Sequence, residues 1–236
     1  MGISLLCAIF APAAHAGTIT TFGFYGVTDN QPGLNPGDPG NAELTAPQLF
    51  VDVFNGDNTV KFRFRNEGPV DSVITAIYFA DGTLFGISAI IDADTADPLG
   101  LDPTMGHPDV DFEAPAKPEQ LPGAPVDFME TSFYASVDAD NPAPTWGVND
   151  SFGEWVQINF DLLPGMQIEN VLDAIHSREL QIGLHVQSID AGFGDSSESF
   201  VNIPEPATIA LMGLGLGMLR RRSRNRRSQR SSAPKV

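Results

Sequence analysis

Between Gly17 and Ile203 apolar and polar side chains alternate in short runs broken by turn residues. Leu49 to Phe54 precedes Asn55-Gly56-Asp57-Asn58, and Thr59 to Arg65 then sets Val60, Phe62 and Phe64 on one face and Lys61, Arg63 and Arg65 on the other. A period of two marks a strand with one buried face, and two such runs around an Asn/Gly turn predict a hairpin. Asn66-Glu67-Gly68-Pro69 closes the second strand, Val73 to Ala80 forms the next, and Asp81-Gly82 turns the chain into Leu84 to Ile91. Trp155 to Leu163 and Leu180 to Ile189 alternate in the same way. Helical spacing occurs once, from Ile168 to Ser177, where Val171, Leu172 and Ile175 share a face after a Pro164-Gly165 break. The prediction is an all-β domain over 17–203: an antiparallel, jelly-roll-like β-sandwich with one short helix and with Phe62, Phe64, Ile158, Phe160, Ile182 and Leu184 buried. Residues 92–127, rich in Pro and Asp, form a loop too long to be a simple connection.

Both ends break this pattern. Residues 1–16 hold an apolar run from Ile3 to Phe10, Pro12, and then Ala14-His15-Ala16. Small residues at Ala14 and Ala16 suit signal peptidase, so a secretory signal peptide cleaved after Ala16 is expected. At the other end, residues 204–236 join Pro204-Glu205-Pro206, an uncharged apolar stretch 207–219, and a cluster beginning with Arg220, Arg221 and Arg222. As a single transmembrane helix the 13 apolar residues would cover about 20 Å, against a hydrocarbon core of roughly 30 Å. That makes a marginal anchor, and the arginines would hold the tail on the cytoplasmic side with the body outside.

This three-part end closely resembles the PEP-CTERM sorting signal of exported bacterial proteins, a region also described as an ice-binding protein C-terminal motif. Pro204, Glu205 and Pro206 match its signature, followed by the apolar helix and Arg220, Arg221 and Arg222. The resemblance implies recognition by an exosortase, a membrane-embedded cysteine protease that would remove the tail and pass the protein to the cell surface or an extracellular polysaccharide matrix. The body is also similar to a recurring subset of secreted PEP-CTERM proteins, through segments 64–69, 72–79, 118–123, 183–187 and 197–202. That likeness implies a secreted β-rich domain and no particular chemistry. Ice binding by the body gains no support, because regular Thr-x-Thr repeats are missing.

Charge and composition narrow the function further. Residues 17–203 carry 29 Asp and Glu against 5 Lys and Arg, a net of −24. Such a body repels phosphate backbones, so no nucleic-acid partner is expected. A single cysteine, Cys7 in the leader, leaves no disulfide framework, zinc-thiolate site or cysteine nucleophile. No nucleophile elbow, zinc-protease motif or phosphate loop occurs, so no catalytic residues are assigned and the body is expected to be non-enzymatic. Glu113, Glu119, Glu130 and Glu154 are conceivable glycosidase carboxylates, but sequence selects no pair among them. The one metal expectation is calcium on Asp92, Asp94 and Asp97, with Asp138-Ala139-Asp140-Asn141 a second acidic group; solvated turn carboxylates are the alternative. Trp146, Trp155 and Tyr134 are the aromatics available for a carbohydrate, against a plain packing role.

Overall fold

The computed structural model describes residues 19–56, 58–80, 84–92, 110–125, 128, 134–150, 153–192 and 194–204. Eleven strands, all paired antiparallel, form one continuous sheet: β1 (Thr20–Gly26), β2 (Leu49–Asn55), β3 (Thr59–Asn66), β4 (Asp71–Ala80), β5 (Leu84–Asp92), β6 (Phe112–Glu113), β7 (Tyr134–Ala139), β8 (Val148–Asn149), β9 (Val156–Leu162), β10 (Gln181–Asp190) and β11 (Ser196–Asn202). The order is β5-β9-β3-β2-β1-β11-β10-β4-β7-β6, with β8 also on β4. β1 is the corner. Its first half pairs β2, with Thr20 opposite Val53 and Gly23 opposite Phe50, and its second half pairs β11, with Phe24 opposite Asn202. The sheet thereby folds into two facing halves, A (β5-β9-β3-β2-β1) and B (β1-β11-β10-β4-β7-β6). The edge strands β5 and β6 approach each other without pairing, which makes the fold nearly a barrel.

The jelly-roll order is replaced by a meander, because β1, β2 and β3 are direct neighbours rather than alternating between halves. Short loops explain it: Gly56 N donates to Thr59 O at 2.8 Å and Asn58 takes φ 59°, closing a tight hairpin that keeps β2 and β3 in one sheet. The single predicted helix is present as α3 (Ile168–Ser177), starting from a Gln167/Asn170 capping box and ending at Arg178 with φ 65°. Two shorter helices join it, α1 (Asn41–Thr45), continued by a 3-10 turn over Ala46–Gln48, and α2 (Ala143–Trp146). At four or five residues they are below the length at which apolar periodicity can be read.

The core fills the space between the halves. Phe62, Phe64, Ile158, Phe160, Ile182 and Leu184 are all fully buried. Phe79 of half B lies edge-on to Phe62, Phe64 and Phe160 of half A, at centroid distances of 5.1, 6.0 and 4.7 Å. β4 is buried on both faces because a strap of the long Pro-rich loop crosses its outer side. Ala76, Tyr78 and Ala80 of β4 meet Ala116, Leu121 and Phe128 there, in a second, smaller apolar cluster.

Candidate functional site

Two places gather the chemistry that the sequence singled out. The first is the junction between the body and the C-terminal segment. β11 is an interior strand, and its last residue, Asn202, is buried; its Oδ1 accepts a 2.8 Å hydrogen bond from Ile182 N. Ile203 N donates to Gly23 O at 2.9 Å, and Pro204 follows at once. The ladder therefore runs up to the Pro-Glu-Pro triplet with one residue between them. Glu205, Pro206, Arg220, Arg221 and Arg222 lie outside the described residues, as do Ala14, Ala16 and the apolar stretch 207–219. Among the described residues no helix is long and apolar enough to cross a membrane.

The second place is the outer face of half A. Period-two geometry turns the polar side of the hairpin outward, and the register sets Phe50 beside Arg65, Asp52 beside Arg63, and Phe54 beside Lys61. From β9, Gln157 stands beside Arg63 and Asn159 beside Lys61. Trp155 lies just before that strand. The Arg63 guanidinium carbon sits 4.3 Å from the Trp155 ring centre and 5.4 Å from that of Phe54, while Arg65 lies over Phe50 at 5.3 Å. Arg63 Nη2 donates to Gln157 Oε1 at 3.1 Å, and Gln157 Nε2 donates to Asn159 Oδ1 at 2.9 Å. Arg63 Nε is buried with no hydrogen-bond partner, and burial lowers the Arg63 pKa from its ordinary value. Arg65 forms a fork on Asp52, at 2.8 and 3.1 Å, and reaches Glu67 at 2.5 Å. Although its burial works the other way, these carboxylates raise its pKa. Three of the five cations in 17–203 stand on this one strand.

Other candidates have structural partners. Glu154 is buried, accepting from Asn149 N at 2.9 Å and Asn149 Nδ2 at 2.8 Å, and so pins β8. Glu113 and Glu119 are exposed on β6 and the strap, and Glu130 is outside the described residues. Trp146 is half-buried against the main core, in agreement with a packing role, and nothing is described of the Tyr134 side chain. Asp94 and Asp97 lie outside the described residues, where Asp92 ends β5. Of the second acidic group, Asp138 Oδ2 accepts from Lys117 N at 2.9 Å and Asp140 Oδ1 from Asn141 N at 2.7 Å. Among the described residues no three His, Cys, Asp or Glu side chains are grouped to hold a metal.

Sequence reasoning missed Glu198, fully buried near the start of β11. It accepts from Thr28 Oγ1 at 2.6 Å, from Asn30 N at 2.8 Å and from Gln31 N at 3.1 Å, fastening the loop after β1. The segments that carried the body's likeness also have structural explanations. Asn66 and Ser72 share a buried hydrogen-bond network with Gln48, Pro118 O accepts from Tyr78 Oη at 3.2 Å, and Leu121 lies on Gly183.

Residues 202–224 match the family described as the PEP-CTERM protein-sorting motif. No curated protein and no solved structure matches the chain. The chain is thus an antiparallel β protein that carries a PEP-CTERM motif starting on the last residue of its final strand. The motif marks an exported protein, directed to the cell surface and addressed to an exosortase.

Proposed function

We propose that this is a non-enzymatic surface or extracellular-matrix protein, held briefly by the apolar helix 207–219 until an exosortase removes the tail. The observation that carries this reading is the motif at 202–224, set immediately behind a folded acidic β domain. The engagement of Glu154 and Glu198 in holding backbone amides adds support, since both carboxylates have structural employment. Intact-mass measurement on protein recovered from its own cell surface tests the sorting: loss of 220–236 is the expected result. A panel of glycoside and ester substrates tests the rest, and turnover abolished by one carboxylate or serine substitution would refute the non-enzymatic reading.

A second reading, a secreted domain that binds or hydrolyses carbohydrate, is favoured by the outer face of half A. Trp155 there stands among donors and acceptors already fixed by mutual hydrogen bonds. A glycan array distinguishes the readings, with binding to a defined glycan favouring the second.

A further inference from the structure

Among the described residues five large apolar side chains are exposed, and three of them, Ile19, Tyr25 and Ile203, belong to the corner where β1 passes from half A to half B. The register explains their company. Thr21, Gly23 and Tyr25 stand outward along β1, since Phe22 and Phe24 between them are buried, and Ile19 continues the same two-residue period. Asn202 is opposite Phe24, so Ile203 comes beside Gly23, to which it is hydrogen-bonded. The surface over Gly23 is open, because a Cβ there would meet nothing within 4 Å. From Ile19 to Tyr25 the row runs about 20 Å, and the chain leaves for its C-terminal segment from the middle of it. β1 carries no charge, and β2 and β3 beside it set Asp52 against Lys61, Arg63 and Arg65, with Glu67 just beyond. In a body at −24 this is a place where an anionic surface meets little repulsion.

We propose that this corner is a membrane-contact surface: while the tail is in place, Ile19, Tyr25 and Ile203 enter the headgroup layer of the bilayer and turn Pro204 toward it. The proposal rests on the reading above that 207–219 is held in the bilayer, and adds how the body sits there. Length selects the occupant. Four chain steps lead from Ile203 to Ala207, a reach of at most about 14 Å. The apolar stretch covers about 20 Å of a hydrocarbon core of roughly 30 Å. With the arginines at the inner boundary, the connection must therefore make up about 10 Å before it meets the headgroups, unless the bilayer thins around it. About 4 Å of reach is then left, against a headgroup layer of roughly 5–8 Å on each side. The corner is thereby drawn into that layer, and its side chains suit the place. Isoleucine gains from leaving water, and tyrosine combines an apolar ring with a hydroxyl that stays wet. A second copy of the chain fits less well, since it would bring another 24 excess negative charges to the same corner.

The test uses full-length protein made in an exporting bacterium that lacks an exosortase, so that the tail stays on. It is reconstituted in vesicles of three parts phosphatidylethanolamine to one part phosphatidylglycerol, with and without bromine on the acyl chains. Cys7→Ser removes the native thiol. A fluorophore is then placed through Thr21→Cys at the corner or, as reference, through Phe85→Cys on β5, an exposed position four strands away. Brominated lipid should quench the Thr21 label at least threefold more strongly than the Phe85 label. A ten-residue Gly-Ser spacer after Pro206 frees the body from its short connection, and quenching at Thr21 should survive it. Adding Ile19→Ser, Tyr25→Ser and Ile203→Ser to the spacer form should lower that quenching to the Phe85 level, with unchanged melting temperatures keeping loss of fold apart from loss of contact. Vesicle-bound protein with both labels quenched alike, or with a Thr21 label that the spacer alone releases or the three serines leave quenched, would overturn the contact surface but not the inserted tail. Protein that fails to float with the vesicles would overturn the inserted tail and the contact together. Shielding of Thr21 that follows protein density rather than bromine would overturn the membrane as occupant and assign the corner to self-association.

Discussion

Gly183 faces the strap so closely that a Cβ there would stand 2.7 Å from Leu121 Cδ2 and 2.9 Å from Phe128 Cζ. Its φ is ordinary, so the constraint is one of space rather than of backbone conformation. Gly183→Ala should therefore push the strap from β4 and destabilise the fold by about 1–3 kcal/mol in urea melts, with Leu121→Ala expected to relieve the clash in part. On the same outer face His185 is half-buried beside Ser199, with Nδ1 and Oγ 3.4 Å apart. Burial lowers its pKa, and the nearby Glu198 only partly opposes this. The folded state thus binds the proton less readily than the unfolded chain, whose histidine titrates near 6.5. Stability should fall as pH drops below about 6.5 and level off beneath the folded value; His185→Gln should flatten that slope in thermal melts taken between pH 7.5 and 4.5. Glu198→Ala acts differently, since it leaves the Asn30 and Gln31 amides and the Thr28 hydroxyl without their acceptor. A loss of about 1–3 kcal/mol is expected from leaving these part-buried donors unmet, together with faster proteolysis in 28–40.

Elements differed in how well the sequence announced them. β2, β3, β9 and β10 were readable because each has one core face and one polar face, and α3 because ten residues suffice to show an apolar stripe. β1, with Thr20-Thr21-Phe22-Gly23-Phe24-Tyr25-Gly26, and β11, with Ser196 to Asn202, escaped. β1 buries Phe22 and Phe24 alone, too few apolar positions to mark a face among its glycines and threonines, and β11 buries the polar Glu198, Ser199 and Asn202 by hydrogen bonding. An antiparallel β-rich fold was therefore legible, but not the corner that joins its halves into a near-barrel. The outer face of half A had the same history: Lys61, Arg63 and Arg65 were visible as a polar side, yet only the β3–β9 register brings Trp155, Gln157 and Asn159 beside them. Missing β11 also hid how close the fold comes to the processing signal. A chain ending at Pro204 should fold as well as the full body. One ending at Val201 loses the Asn202 Oδ1 contact to Ile182 N and the Ile203 N contact to Gly23 O, and circular dichroism melts should show it about 1–3 kcal/mol less stable.

On the scale of the whole molecule, both chain ends leave the fold together. Ile203 is hydrogen-bonded to Gly23, and Thr20 lies three residues from that glycine, within about 10 Å along the strand. A tail held in the membrane before processing would thus tether the body by this one end, leaving the rest of the near-barrel free to face outward. The apolar stretch 207–219 would be too short for a comfortable permanent anchor, and the arginines after it would set its orientation. Two prolines disfavour helix in the residues before them and donate no amide, so the Pro-Glu-Pro sequence is expected to suit a protease that takes an extended segment. Because Asn202 is locked in the ladder, cleavage is confined to its C-terminal side, and the shortest mature chain should still contain it. Replacing Pro204, Glu205 and Pro206 together by alanine should leave an uncleaved, membrane-bound form whose body melts as before. Intact mass decides: a surface species that keeps Arg220 to Val236 would show the tail to be a lasting anchor, and one that lacks Asn202 would show that processing opens β11 first.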